Sequence, residues 1–164
     1  MFGRAAFSCL ILASLAFSTP ATAGSGYKLR VAGTTLSCTS WQGQPVRVIA
    51  NASLGTLGRA SFNPEGAPII EVHPGALQSY SRFVQLWWFA HECAHHQLPP
   101  RLNSEGRADC LAAKAVRPMA QGTLAEARLI QRELGSLARS ELGHLRGDER
   151  ARLVLRCAGL PNLA

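Results

Sequence analysis

Up to about residue 75 the apolar positions fall in short runs broken by Gly, Pro, Ser and Thr; beyond it they recur at helical spacing. Residues 28–31, 45–50, 58–62 and 68–73 read as strands bounded by turn residues. "PVRVIAN" and "APIIEVHP" are the clearest of them, being β-branched and of strand length. Then "RFVQLWWFAHECAHHQL" predicts a helix, capped by Ser79 or Ser81 and stopped by Pro99-Pro100. A second helix is expected from Asn103 or Ser104, both good caps, through "EGRADCLAAKAV" to Pro118. A third spans roughly 123–142, with apolar positions at Leu124, Ile130, Leu134 and Leu137, and a short fourth spans 148–157. Neither an internal repeat nor a low-complexity linker interrupts the chain. Strands first and helices afterwards argue for an α+β domain with a small antiparallel sheet.

The start of the chain carries a different pattern. Arg4 precedes an apolar run from Ala5 to Phe17 that is too short to span a bilayer, and Ala21-Thr22-Ala23 is a small-x-small cleavage site. Residues 1–23 are therefore expected to be a signal peptide, with 24–164 forming one domain of an exported protein, periplasmic or secreted, without a membrane span after cleavage. Cleavage removes Cys9 and leaves Cys38, Cys93, Cys110 and Cys157, an even number that suggests two disulfides with three possible connectivities. The charge after cleavage is about +6, nearly all of the basic residues being arginine scattered over the second half. No stretch interleaves them with aromatics as a nucleic-acid groove does, so the charge reads as a solvated surface and no nucleic-acid partner is expected.

The chemistry sits in residues 91–109. His91-Glu92-Cys93-Ala94-His95 fits HExxH. On a helix, residues four apart share a face, so both imidazoles can reach one zinc ion, while Glu92 lies about 60–100° round the axis, placed to activate a water rather than to ligate. The next predicted helix opens with Glu105-Gly106-Arg107-Ala108-Asp109, in which Glu105 and Asp109 are again four apart. A Glu105 ligand completes a His₂Glu site with an open fourth position. Asp109, one turn on, can accept a hydrogen bond from a ligand imidazole and fix its tautomer. Two acids four apart are common on exposed helix faces; the position directly after HExxH, across a short proline turn, gives this pair its meaning.

With "FAHECAHH" and "SEGRADCLAAK" in place, the chain resembles the gluzincin-type zinc metallopeptidases, above all the family of the CAAX-prenyl endopeptidases and HtpX-like proteases with their small soluble relatives. The likeness covers residues 79 to about 157, most clearly 88–116. It implies a zincin-like helical core, zinc on His91, His95 and Glu105, Glu92 as general base, and Asp109 behind the ligands. That family also has a later His followed six residues on by Arg. Here His144 and Arg150 have that spacing, although Leu145 stands where the family usually has proline. If carried over, they stabilise the oxyanion of a tetrahedral intermediate. The chain departs from the membrane members of the family in having no further span, and it is short.

His96 lies about 140° from His91 on the helical wheel, outside the same tetrahedron, and is expected to pack near the second helix. His73 reads as a surface residue before a turn proline sooner than as part of the cleft. Cys93 and Cys110 both point away from the metal side. A Cys93–Cys110 bond with Cys38–Cys157 is the favoured connectivity, since each bond then joins separate elements; the other two remain open. Three functions follow: a zinc endopeptidase acting on a peptide or protein; a zinc-bearing binding or scaffold protein without turnover, which does not require Glu92; and a disulfide-stapled protein without metal, which makes two correctly spaced motifs accidental. Substrate identity and oligomeric state are not legible in the sequence.

Overall fold

The computed structural model describes residues 29–137 and 144–161. The expected signal peptide at 1–23 and the expected end of the third helix, 138–142, lie outside these residues. Five strands come first: β1 (Leu29–Val31), β2 (Thr34–Leu36), β3 (Arg47–Ala50), β4 (Gly58–Phe62) and β5 (Pro68–Val72). Five α-helices follow among the described residues: α1 (Pro74–Leu77), α2 (Arg82–Gln97), α3 (Glu105–Val116), α4 (Leu124–Gly135) and α5 (Gly147–Ala158). The α+β order read from the sequence is the order found. The one-turn α1 was not anticipated: His73 caps it, its Nδ1 accepting from Ala76 N at 3.0 Å.

β1 and β2 form an antiparallel hairpin, tight because Ala32 and Gly33 both take positive φ, as a two-residue hairpin turn requires. The second sheet has the order β3-β5-β4, with β4 antiparallel and β3 parallel to β5. Central β5 buries Pro68, Ile70 and Val72 on one face and turns Ile69 and Glu71 to the other. This period of two lays the sheet on α2. Closest contact is at Gly58, where a Cβ would stand 2.9 Å from Trp88 Nε1 and 3.1 Å from Glu92 Cγ. Only glycine lets the edge strand lie against the helix at that point.

α2 is the organising element. Ser81 caps it, and Ser81 is itself held by the Glu133 carboxylate of α4 through its N–H and hydroxyl. Leu98, before the proline pair, is already extended, as the residue before a proline prefers. Its apolar residues Phe83, Val84, Leu86, Trp87, Trp88 and Phe89 are buried, so the helix runs through the core rather than over it. α3 packs on it through Ala108, Ala112 and Ala113, whose small side chains permit a close approach. α4 contributes Ala127, Ile130 and Leu134, and α5 contributes Ala151, Val154 and Leu155. Leu124 at the start of α4 is half exposed instead.

All four cysteines among the described residues are paired, but not as expected: Cys38 bonds Cys93 and Cys110 bonds Cys157. The reason is rotational. Cys93 meets Cys38 at the start of the 38–46 loop, while Cys110 is turned about 100° from Asp109 and meets Cys157 on α5. Each bond still joins two separate elements.

Candidate metal centre

His91 and His95 leave α2 on one face, and Glu105 enters from the first turn of α3. His91 Nε2 stands 3.3 Å from Glu105 Oε2, His95 Nε2 is 3.5 Å from Oε1, and the two Nε2 atoms are 3.1 Å apart. His144, just before α5, brings its Nε2 to 3.1 Å from Glu105 Oε2. Three imidazoles and one carboxylate thus converge, drawn from α2, α3 and the entry to α5.

Partners behind the rings assign the tautomers. Asp109 Oδ1 lies 2.8 Å from His91 Nδ1, both groups fully buried. Asn103 Oδ1 lies 2.8 Å from His95 Nδ1, and Asn103 Nδ2 donates to the His95 carbonyl at 3.1 Å. Each carbonyl or carboxylate oxygen can only accept, so Nδ1 carries the proton in both rings and both Nε2 atoms present lone pairs. Glu105 Oε2 is buried and meets no donor in hydrogen-bonding geometry. Acceptor atoms crowded together without a proton to share are costly unless a cation joins them, and this set of N and O donors suits a divalent transition ion. The His91, Glu105, His144 group and the His91, Glu92, His95 group can each hold a metal ion.

With no cation between them, the same groups draw protons toward one another. Burial raises the Glu105 carboxyl, but the imidazoles of His144, His91 and His95 outweigh it and hold the acid well below its usual range. Burial lowers the His95 ring, while the Glu105 carboxylate and Asn103 more than offset this and raise it. Glu92 is nearly buried and stands within reach of His91 and His95, close enough to be counted with them as a group that can hold a metal ion. Its Oε2 accepts from the backbone N–H of Ala60 at 2.8 Å. That N–H is turned away from β5, so the sheet edge and the acid are locked together. A cleft of about 330 Å³ opens over the group, bordered by Ala60, Phe62, Glu92, His95, Glu105 and His144.

Compared with family models, curated proteins and solved structures, the chain matches none significantly. The site therefore has to be read from its own residues.

His91, Glu92, His95, Glu105, Asp109 and His144 are brought together. Arg150 is placed differently from the expected oxyanion donor. It does not border the cleft; its guanidinium is 2% exposed and grips Asp109, with Nε 3.0 Å and Nη2 2.9 Å from Oδ1. The cation lies against both the Trp87 and Trp88 rings, 4.8 and 4.9 Å from their centroids. From α5 its Nη2 also lies 3.3 and 3.2 Å from Nδ1 and Nε2 of His91, so the guanidinium meets the ring as well as the carboxylate behind it. His96 also departs from expectation. Rather than reaching the second helix, its Nε2 bonds the Ile69 carbonyl of β5 at 2.9 Å, and burial holds the ring low in pKa. His73 lies outside the cleft over the ligands, as the cap of α1.

Sequence reasoning missed three contributors. Asn103 was legible only as a cap, yet Ser104 is the N-cap residue and Asn103 orients His95 across the proline turn. Gly58 and the Ala60 N–H were hidden because one acts by lacking a side chain and the other through its backbone; a glycine opening a strand was the only signal.

Proposed function

We propose that the protein is an exported zinc endopeptidase with a zincin-like helical core, resembling the gluzincins. The observation that carries this reading is the convergence of His91, His95 and Glu105 with Glu92 beside them on the same cleft. His91, His95 and Glu105 would hold the zinc. When bound, the ion supplies Lewis-acid polarisation of a peptide carbonyl and lowers the pKa of water.

The chain's own groups do the rest. Asp109 keeps the His91 proton on Nδ1, and Asn103 does the same for His95, so both rings are presented as neutral ligands. The Ala60 N–H holds Glu92 Oε2, leaving Oε1 to take a proton from the attacking water and return it to the leaving amine. His144, on the same cleft, is the donor for the developing oxyanion. Arg150 acts through Asp109 and is a positioning residue. The 1–23 leader pattern and two disulfides support an oxidising compartment, periplasmic or extracellular. Among the described residues no helix is long and apolar enough to cross a membrane.

Metal content of the purified mature protein tests this, measured by mass spectrometry beside Glu105→Ala. About one zinc per chain is expected, with retention in the variant falling at least tenfold. Turnover of peptides by wild type and not by Glu92→Gln then follows. A wild type refolded with zinc and intact disulfides that holds none removes the reading.

One observation favours a second reading, a zinc-bearing binding protein without turnover. His144 Nε2 reaches Glu105 as closely as the other imidazoles do, and four protein donors on one ion make a closed, structural site. His144→Ala separates the two. A closed site loses zinc affinity on that change; an open catalytic site keeps its zinc and loses turnover.

A further inference from the structure

Beside the cleft lies a second cavity of about 380 Å³ that shares His95, His96, Asn103 and Phe62 with it. Its outer walls are aromatic. Phe62 ends β4 on the face that carries Gly58 and Ala60, standing edge-on to His96 at 5.4 Å with 68% of its surface exposed. Trp41, 52% exposed, borders the same space. No Asp, Glu, Lys or Arg borders the space.

The backbone under Trp41 is braced to an unusual degree for a loop. Cys38 is bonded to Cys93 on the metal helix. Trp41 N donates to the carbonyl of His96 at 2.8 Å, and Val46 N to Cys38 O at 2.9 Å. Ser40 and Gln44 close a turn, and Thr39 pairs with Pro45. Through these ties the loop is fixed to the C-terminal half of α2, one turn from the ligands. Large apolar side chains are ordinarily withdrawn from water, and here two of them are held out in fixed positions around one hollow. An aromatic anchored on rigid backbone binds without an ordering cost.

We propose that this cavity is a specificity subsite, walled by Trp41 and Phe62, that receives a large apolar side chain of a peptide whose backbone lies over the metal cleft. The proposal rests on the peptidase reading and names its substrate class: peptides with an aromatic or leucine-like residue near the scissile bond. Continuity with the cleft selects this occupant, since a side chain seated there brings its own backbone to His95 and Glu92. The lining has no carboxylate to pair with a basic side chain and no Lys or Arg to pair with an acidic one, so either would lose hydration on entering. Trp41, Trp87 and Trp88 are the chain's three tryptophans, and Trp41 alone is exposed, so its fluorescence reports on the subsite.

The experiment uses zinc-loaded Glu92→Gln protein, which binds without cutting, titrated with end-blocked hexapeptides carrying Phe, Leu, Gly, Asp or Lys at one central position. Saturable binding of the Phe and Leu peptides is expected, at least tenfold tighter than the Gly, Asp or Lys peptides. Trp41→Ala and Phe62→Ala should each weaken it about tenfold with unchanged zinc content. Equal affinity for all peptides, or no effect of either substitution while zinc and wild-type turnover persist, overturns the subsite and leaves the peptidase standing. Selective apolar binding in a protein that never cleaves overturns the peptidase and keeps the pocket. A wild type that dimerises through Trp41, becoming monomeric in Trp41→Ala, assigns the cavity to a second copy and overturns the proposal.

Discussion

Two regions of this molecule face the same cleft and are built by opposite means. Behind the candidate metal group, where α2, α3 and α5 meet, polar groups are buried and satisfy one another: His91 and Asp109 are fully covered, and Arg150 closes the series against two tryptophans. In front, along β4 and the 38–46 loop, apolar groups are exposed on braced backbone. Each region has one disulfide, Cys110–Cys157 behind and Cys38–Cys93 in front. The difference teaches that the geometry of the candidate metal group depends on a buried charge network, and the open rim on backbone ties. Damage to the first should cost fold and metal together; damage to the second should cost recognition with the metal retained.

The largest effect is expected from Arg150→Met. It leaves the Asp109 carboxylate buried beside His91 without its cation, a change that typically costs about 3–5 kcal/mol. Urea unfolding of the metal-free protein measures this. An unfolding midpoint equal to wild type would mean that Arg150 merely fills space. Asp109→Asn is the milder companion: the amide keeps the shape but weakens the demand for a proton on His91 Nδ1, and zinc affinity should fall about 10–100-fold.

The disulfides sharpen the contrast. Chain-entropy reasoning gives each about 2–4 kcal/mol, since the sequence separations, 47 and 55 residues, are alike. Their side effects should differ. Cys110→Ser with Cys157→Ser loosens α3 against α5 and should reduce zinc retention. Cys38→Ser with Cys93→Ser should leave zinc in place and weaken apolar peptides. Identical effects of the two pairs on both readouts would erase the distinction drawn between front and back.

Much of the back was legible in the sequence, because helical periodicity fixes which side chains share a face. HExxH on an apolar helix, and Glu105 with Asp109 four apart on the next, are statements about rotation per residue, and they place these side chains together in space. Tertiary pairings were less legible. The cysteines were read as joining separate elements, which they do, but which elements depends on helix packing angles that spacing does not encode. Arg150 shows the same limit: a spacing of six from His144 carries no information about which side of the ligands a helix will pass. The front was hardest to see, since it works through a missing Cβ, a backbone N–H and a parallel β3–β5 pair formed across the intervening β4.

Gly58→Ala tests the hinge between the two regions. The added methyl meets Trp88 Nε1 and Glu92 Cγ, so the strand or the acid has to move. A cost of about 1–3 kcal/mol is expected from overpacking and, on the proposed peptidase function, turnover falls further than stability explains because Glu92 is displaced. Zinc content should be unaffected. A variant with normal turnover would show that the contact between β4 and Glu92 does not set the position of the acid.

The smallest effect concerns the outer face of the rim. Arg59 and Glu71 are cross-strand partners of β4 and β5 and form an ion pair on the face turned away from α2, with Asn51 donating to the other carboxylate oxygen at 2.9 Å. Hydrogen bonds from Arg59 and then Asn51 hold the Glu71 carboxyl below its ordinary 4.5, against a smaller opposing effect of burial. A depressed carboxyl contributes stability that is complete above its unfolded pKa and disappears as pH falls through the folded value. Arg59 is half exposed, so solvent screening limits the pair to about 0.2–1 kcal/mol. Arg59→Ala should therefore lower the urea midpoint slightly at pH 7, and the gap to wild type should close as the solution is acidified below about 4.5. Added salt should narrow it at neutral pH as well. A gap that survives both acid and salt would assign the loss to the packing of the Arg59 stem on β5, and the ordering of the edge strand would then depend on apolar contact on its outer face as much as on its inner one.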